Sequence, residues 1–252
     1  MKIVKYKGFE HFADRDPKRV VKYLVIHSFA LSVSKMIQTC KRLGVGPHYI
    51  IDRKGNVIQL VSENKTAWHA GKSFWRGEES LNAASVGIEL QSPTLGQSEY
   101  PDVQIKALIA LAKKIMKKHK ILPQNVVGHS DVAPTRKADP GICFPWAKVA
   151  DCGVGVWPKD GIKFVSRANN ATLLKRIGYD VTDEKAALYA FMRHFMPNRV
   201  GVDKDIAHIE ENLPGYIKAQ KKPDDDVRQC LCRVAGAYVR QARTRVVATI
   251  QR

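Results

Sequence analysis

His129, Asp131, Arg136, Lys137 and Asp139 fall within eleven residues of one another, inside the stretch VVGHSDVAPTRKADPGICFPW from Val126 to Trp146. Val126 and Val127 read as the end of a buried strand. Gly128 breaks that strand into a loop rich in Pro, Asp and basic residues. Functional groups gather on loops carried by rigid strands. His and Asp are both metal ligands, and a catalytic zinc ion takes three protein ligands while keeping one position for water. A third ligand would come from elsewhere in the chain. Two neutral imidazoles and one carboxylate would lower the pKa of a bound water. His27, His129 and Asp139 could supply that set, each at or just past a strand end. Glu89, an acid set among apolar neighbours, would be the general base. Lys137 would neutralise the oxyanion formed when water attacks a carbonyl. Spacing alone does not single this set out, because His48, His69, Asp131 and His208 compete as donors.

These groups need a scaffold. Residues 20–27, VVKYLVIH, form an apolar run that reads as a central strand with His27 at its C-terminal end. Residues 32–43 place Val33, Met36, Ile37, Cys40 and Leu43 at helical spacing, with Ser32 or Ser34 as N-cap and Gly44 as C-cap. His48–Asp52 and Val57–Val61 flank a Gly-containing turn and predict a hairpin. Residues 66–82 read as an ordered surface loop bearing Trp68, Phe74 and Trp75, and Ser85–Leu90 as a strand. Residues 102–120 carry the clearest helical period, with Asp102 as cap and His119 as a solvated residue at the end. Interleaved strands and helices over 20–150 predict an α/β domain: a mixed central sheet flanked by helices.

Beyond Trp157-Pro158 the pattern changes. Helical segments are expected at 171–177, 183–195 and 205–213, broken at Gly178, Pro197 and Pro214. The expected organisation is a catalytic domain over 1–158, a small all-α domain over 159–222, and a basic segment over 223–252. Residues 228–252 hold six arginines, no lysine and no acid. That segment reads as a helix or tail without chemistry.

The chain carries 42 Lys and Arg against 24 Asp and Glu, a net charge of +18. Such charge favours anionic partners. The basic residues are spread along the chain and no nucleic-acid-binding motif accompanies them, so nucleic acid is not the expected partner. No apolar run is long enough for a transmembrane helix. The first residues lack the apolar region of a secretory signal, so the expected location is cytoplasmic, with a periplasmic route left open. The five cysteines, with no CxxC, read as reduced thiols.

The segments YLVIHS (23–28), GPHYIIDRKGNVIQLV (46–61), AWHAG (67–71), RGEESLNAASVGIEL (76–90) and GHSDVAPTRKADPGICFPW (128–146) together resemble the zinc-dependent N-acetylmuramoyl-L-alanine amidases. That family includes bacterial recycling and outer-membrane amidases, phage lysozyme-type amidases and peptidoglycan recognition proteins. The resemblance spans about residues 20–158. FPW, GVGVWP and residues 168–200 look most like a branch with a helical peptidoglycan-binding-like domain. The resemblance implies one zinc ion held by His27, His129 and Asp139, with Glu89 and Lys137 catalytic. It implies hydrolysis of the amide between N-acetylmuramic acid, including its 1,6-anhydro form, and L-alanine of the stem peptide. The expected ligand is therefore peptidoglycan or an anhydro-muropeptide, bound along a groove wall of Trp68, His69, Trp75 and Asn82. His48 is expected to pack under the site rather than to bind metal. One departure is Pro47, where phage-type enzymes carry a tyrosine; the proton transfer then falls to Glu89.

Overall fold

No residue of the run Tyr23–Phe29 is exposed. A strand buried on both faces needs paired neighbours at its edges and a layer above and below. The computed structural model supplies both; it describes residues 2–158, 164–203 and 205–250, with backbone alone over 241–250. The chain runs β1 (Ile3–Lys5), β2 (Phe12–Asp14), β3 (Tyr23–Phe29), α1 (Val33–Leu43), β4 (Tyr49–Ile51), β5 (Val57–Gln59), β6 (Lys65–Ala67), β7 (Phe74–Trp75), β8 (Glu78–Glu79), β9 (Ser85–Gln91), α2 (Asp102–His119), β10 (Val126–Gly128), α3 (His129–Val132) and α4 (Trp146–Asp151). Four further helices follow: α5 (Asn170–Ile177), α6 (Glu184–Phe195), α7 (Ile209–Ala219) and α8 (Asp225–Ile250).

Six strands form one mixed sheet in the order β1-β5-β4-β9-β3-β10. Only the β4–β5 hairpin is antiparallel; β3 runs parallel to both β9 and β10. Parallel strands deliver their C-terminal ends to one edge of the sheet, where functional groups collect. His27 is the register partner of Glu89, and Gly128 is the partner of Ile26. His129 follows Gly128 directly, so the parallel register alone brings three of the sequence-predicted groups to one edge.

The two faces of the sheet are covered differently. Leu24, Ile26, Val86, Ile88 and Val126 pack under α2 through Ile105, Leu108, Leu111 and Ile115. Tyr23, Val25 and Val127 pack with Leu173, Leu174, Phe191 and Leu231 of α5, α6 and α8. Side chains alternate along a strand, so His27 lies on the face of Val25, turned away from α2. Helix α1 is capped as its sequence dictates. Ser32 Oγ accepts from the Lys35 amide, and Gly44 closes the helix at φ 68°.

Some elements depart from the sequence reading. Helix α7 does not stop before Pro214 but runs through it to Ala219. The lost backbone bond is offset by burial of Ile209, Leu213 and Ile217 along one face, the last two packed on Ala186 and Tyr189. Asp102 is not the cap of α2. Pro101 holds that position, and Asp102 lies in the first turn, bonded to Lys148. His119 is not solvated: its Nε2 lies 2.6 Å from Oε2 of the buried Glu63. Residues 66–82 are less irregular than a loop, since they hold the end of β6 and the short β7–β8 hairpin. The segment beginning at 223 forms α8, and its Val227, Cys230, Leu231, Val234 and Tyr238 are buried in the same cluster as α5 and α6. All five cysteines are free thiols. No helix among the described residues is long and apolar enough to cross a membrane.

Candidate metal centre and catalytic cleft

His27, His129 and Asp139 are all buried and converge on one point. The two histidine Nδ1 atoms are 2.9 Å apart. Asp139 Oδ2 lies 3.2 Å from His27 Nδ1, and its Oδ1 lies 3.1 Å from His129 Nδ1. Among the described residues this is the one group of His, Cys, Asp or Glu side chains with metal-binding geometry. The competing donors are engaged elsewhere. His48 Nδ1 accepts from the Gly87 amide and its Nε2 faces the Lys65 carbonyl. His208 pairs with Asp205 on the surface.

Hydrogen-bond accounting fixes the tautomers. His129 Nε2 lies 3.2 Å from the Ala70 carbonyl, which can only accept, so the ring proton is on Nε2 and Nδ1 offers its lone pair. His27 Nε2 lies 3.0 Å from His69 Nδ1, and His69 Nε2 lies 3.1 Å from Ser85 Oγ. Ser85 donates to the Leu81 carbonyl at 2.6 Å. The Ser85 proton is therefore committed, His69 Nε2 must donate to Ser85, and His27 Nε2 must donate to His69. Both Nδ1 lone pairs and the Asp139 carboxylate face each other with no proton between them, a donor set that suits a divalent cation. Burial, then the charge of His129, pushes the His27 imidazole down to about 4, so it is neutral near neutrality. Burial works against ionisation of Asp139, but in acid, where the rings are protonated, His129 and His27 outweigh it and hold the carboxyl well below its ordinary range.

The loop that carries these ligands is braced from several sides. The Ser130 amide donates to the Asp139 carbonyl at 2.8 Å, tying the two ends of the loop together. Asp131 is buried as a keystone. It accepts from the Gly128 amide at 2.7 Å and from Tyr179 Oη at 2.7 Å, and faces His194 Nδ1 at 2.8 Å. Arg193 donates to the Ala138 carbonyl at 2.8 Å, next to Asp139. Arg136 donates to the carbonyls of Ala70 and Lys72. Asp131 and Arg136 are thus scaffold rather than metal ligands. Tyr179, Arg193 and His194 carried no signal in sequence, because their partners lie 48 to 63 residues away.

A cleft of about 320 Å³ opens beside the triad, lined by Trp68, His69, Asn82, Glu89, Lys137 and Glu210 among others. Glu89 Oε2 is buried there without a hydrogen-bond partner. Burial, reinforced by the charge of Asp139, pushes the Glu89 carboxyl well above its ordinary range. A proton acceptor of raised pKa beside a metal triad is the arrangement a general base needs. Lys137 Nζ reaches Glu210 Oε1 at 3.0 Å and Oε2 at 2.8 Å. Trp68 is exposed on the rim, whereas Asn82 Oδ1 accepts from the amides of His69 and Ala70 and so shapes the wall.

Trp75 does not belong to that wall. It is a core residue, its indole packed edge-on to Tyr179 at 4.9 Å and donating to the Gln124 carbonyl. The β7–β8 hairpin is covered by the Ile177–Tyr179 turn, which places the ring out of reach of the cleft. Pro47, the departure noted in sequence, lines the cleft.

A mixed sheet ending in a buried His-His-Asp triad offers a donor set that could hold a metal ion. The sequence profile of the N-acetylmuramoyl-L-alanine amidase family matches residues 17–142, and the chain belongs to that family. The N-acetylmuramoyl-L-alanine amidase AmiD of Escherichia coli (strain K12) is 35% identical over 237 residues, covering 81% of this chain and 86% of that protein. The solved complex of AmiD from E. coli with anhydro-N-acetylmuramic acid-L-Ala-D-gamma-Glu-L-Lys is similar with a TM-score of 0.64 at 34% identity, over 79% of this chain and 91% of that one. AmpDh3 from Pseudomonas aeruginosa, in complex with an anhydromuramic pentapeptide, is similar with a TM-score of 0.69 at 27% identity, over 92% and 96%.

Proposed function

We propose that the protein hydrolyses the amide joining the lactyl group of N-acetylmuramic acid to L-alanine of the stem peptide, with anhydro-muropeptides as substrates. The observation that carries this reading is the meeting of the His27-His129-Asp139 donor set with the unpartnered Glu89 carboxylate in one cleft. Two solved relatives hold anhydromuramic peptides, which supports the ligand class.

His27, His129 and Asp139 are the residues that would hold one zinc ion. When bound, zinc supplies Lewis acidity, making a water easier to deprotonate and a carbonyl easier to attack. Glu89 takes the proton of the attacking water, and its raised pKa makes it a competent acceptor. The oxygen adds to the lactyl carbonyl carbon. Lys137 donates a hydrogen bond to the oxygen that gains negative charge. Glu89 then returns the proton to the departing nitrogen of L-alanine as the C–N bond breaks. The products are a free lactyl carboxylate and a stem peptide with a free amino terminus. Trp68 at the rim would cover an apolar sugar face, with His69 and Asn82 lining the same cleft.

The test is mass spectrometry of digests, comparing isolated anhydro-muropeptide with intact sacculi. The expected products are the free sugar acid and the free stem peptide, lost on chelation and restored by zinc. Activity that survives complete metal removal, or cleavage of a different bond, would overturn the proposal.

A further inference from the structure

Glu210 enters the cleft from a part of the chain that the sequence motifs do not touch. It lies in the first turn of α7 and is 73 residues from Lys137. The cleft holds three carboxylates, Glu89, Asp139 and Glu210, around the single ammonium of Lys137. The nearby guanidinium of Arg136 is committed to the carbonyls of Ala70 and Lys72. A lysine is a point charge on a flexible four-carbon stem, so it settles on whichever carboxylate holds it best. Pairing with Glu89 would occupy the proton acceptor. Pairing with Asp139 would draw that carboxylate away from the two histidines. Neither occurs: Glu89 Oε2 has no partner, and Asp139 faces His27 and His129. The ammonium is instead held by both oxygens of Glu210, at 3.0 and 2.8 Å. An ammonium has three N–H groups, so this two-point grip leaves one for a substrate oxygen.

We propose that Glu210 is the positioning residue for Lys137, holding the ammonium off Glu89 and Asp139 while leaving it a donor for the developing oxyanion. The inference rests on the role of Lys137 in the proposed function. It makes the helical part of the chain a contributor to the catalytic cleft. Glu210 is partly exposed, so its loss removes little stability and the variants are expected to fold.

The experiment uses the full chain loaded with zinc and four variants: Glu210→Gln, Glu210→Asp, Lys137→Met and the double variant Glu210→Gln/Lys137→Met. Glu210→Gln is expected to lower kcat by about 10- to 10²-fold, since a misplacement of about 1 Å can cost about 10²-fold. KM should stay within about twofold, because ground-state binding is untouched. Zinc content and melting temperature should match the parent, and Glu210→Asp should restore part of kcat. Added to Lys137→Met, the Glu210→Gln change should have no further effect, since it acts through the lysine. A crystal structure of Glu210→Gln should show Lys137 Nζ moved onto Glu89 or Asp139. Unchanged or raised kcat in Glu210→Gln, an undisturbed Lys137, or an equal loss in both backgrounds would overturn the proposal. If Lys137→Met cripples the enzyme while Glu210→Gln is neutral, only the role of Glu210 falls. If Lys137→Met is fully active, the role of Lys137 falls and this inference with it.

Discussion

Glu89 stands opposite His27 as its register partner on the neighbouring parallel strand. Paired strands lie about 4.8 Å apart, and both side chains project from the same face. The distance between the proposed base and the first metal ligand is thus set by backbone hydrogen bonds of the sheet, not by a loop. Replacing Glu89 with Gln keeps the shape and removes the proton acceptor. Activity should fall by about 10²- to 10⁴-fold with zinc still bound. Assays of turnover beside metal content check this; full activity in Glu89→Gln would remove Glu89 from the chemistry.

His69 enters the site through His27 rather than only as a wall. Its Nδ1 receives the His27 Nε2 proton and its own Nε2 is anchored on Ser85. Replacing His69 with Phe removes the acceptor that orients the His27 ring, and outer partners of this kind are worth about 10- to 100-fold in metal affinity. Zinc dissociation constants from a competing chromophoric chelator measure the effect. Parent-like affinity would show that the His27 ring is fixed by packing alone.

Tyr179 spends its hydroxyl on the buried Asp131 carboxylate. Tyr179→Phe keeps the ring against Trp75 and removes one bond to a charged group. The expected loss is about 1.5–3 kcal/mol of unfolding free energy. Urea titration followed by fluorescence reads it directly. An unchanged midpoint would mean that the Gly128 amide and His194 satisfy Asp131 without help.

Glu63 provides a pH handle remote from the cleft. Burial pulls its pKa up, but bonds from His119, Lys118 and Tyr49 outweigh that and bring it down to about 2. A carboxyl whose folded pKa is depressed stabilises the fold above its unfolded pKa, and that stability disappears as pH falls through the folded value. The contribution should therefore be complete above about pH 4.5 and lost by about pH 2. Glu63→Gln should be less stable near neutrality and should flatten the acid dependence of the urea midpoint over that window. Parallel acid profiles for the two proteins would contradict the assignment.

The elements that carry the site were legible because their signals are local. The apolar run at β3, the SVGIEL strand and the helical period of α2 each declare themselves within a few residues. The His-His-Asp set needed more. From spacing it was one combination among several, and only the parallel register of β3 and β10 with the fold of the 129–139 loop excludes the rest. Trp75 was misplaced because an aromatic in a polar segment reads as surface until the turn that covers it, more than 100 residues later in the chain, is known. Pro214 misled for the opposite reason: the local helix break is real, but the buried face of α7 outweighs it. Glu210 and His194 were silent because a contact across 60 or 70 residues leaves no pattern near either partner.

One hydrophobic cluster joins Tyr23, Val25 and Val127 of the catalytic sheet to Leu173, Phe191 and Leu231 of the C-terminal helices. The helices therefore share one core with the sheet they cover. A chain ended at Pro158 would turn the face of the strand that bears His27 toward water. Any engineered version meant to work on smaller or larger wall fragments has to be redrawn at the cleft rim, around Trp68, and not by exchanging halves.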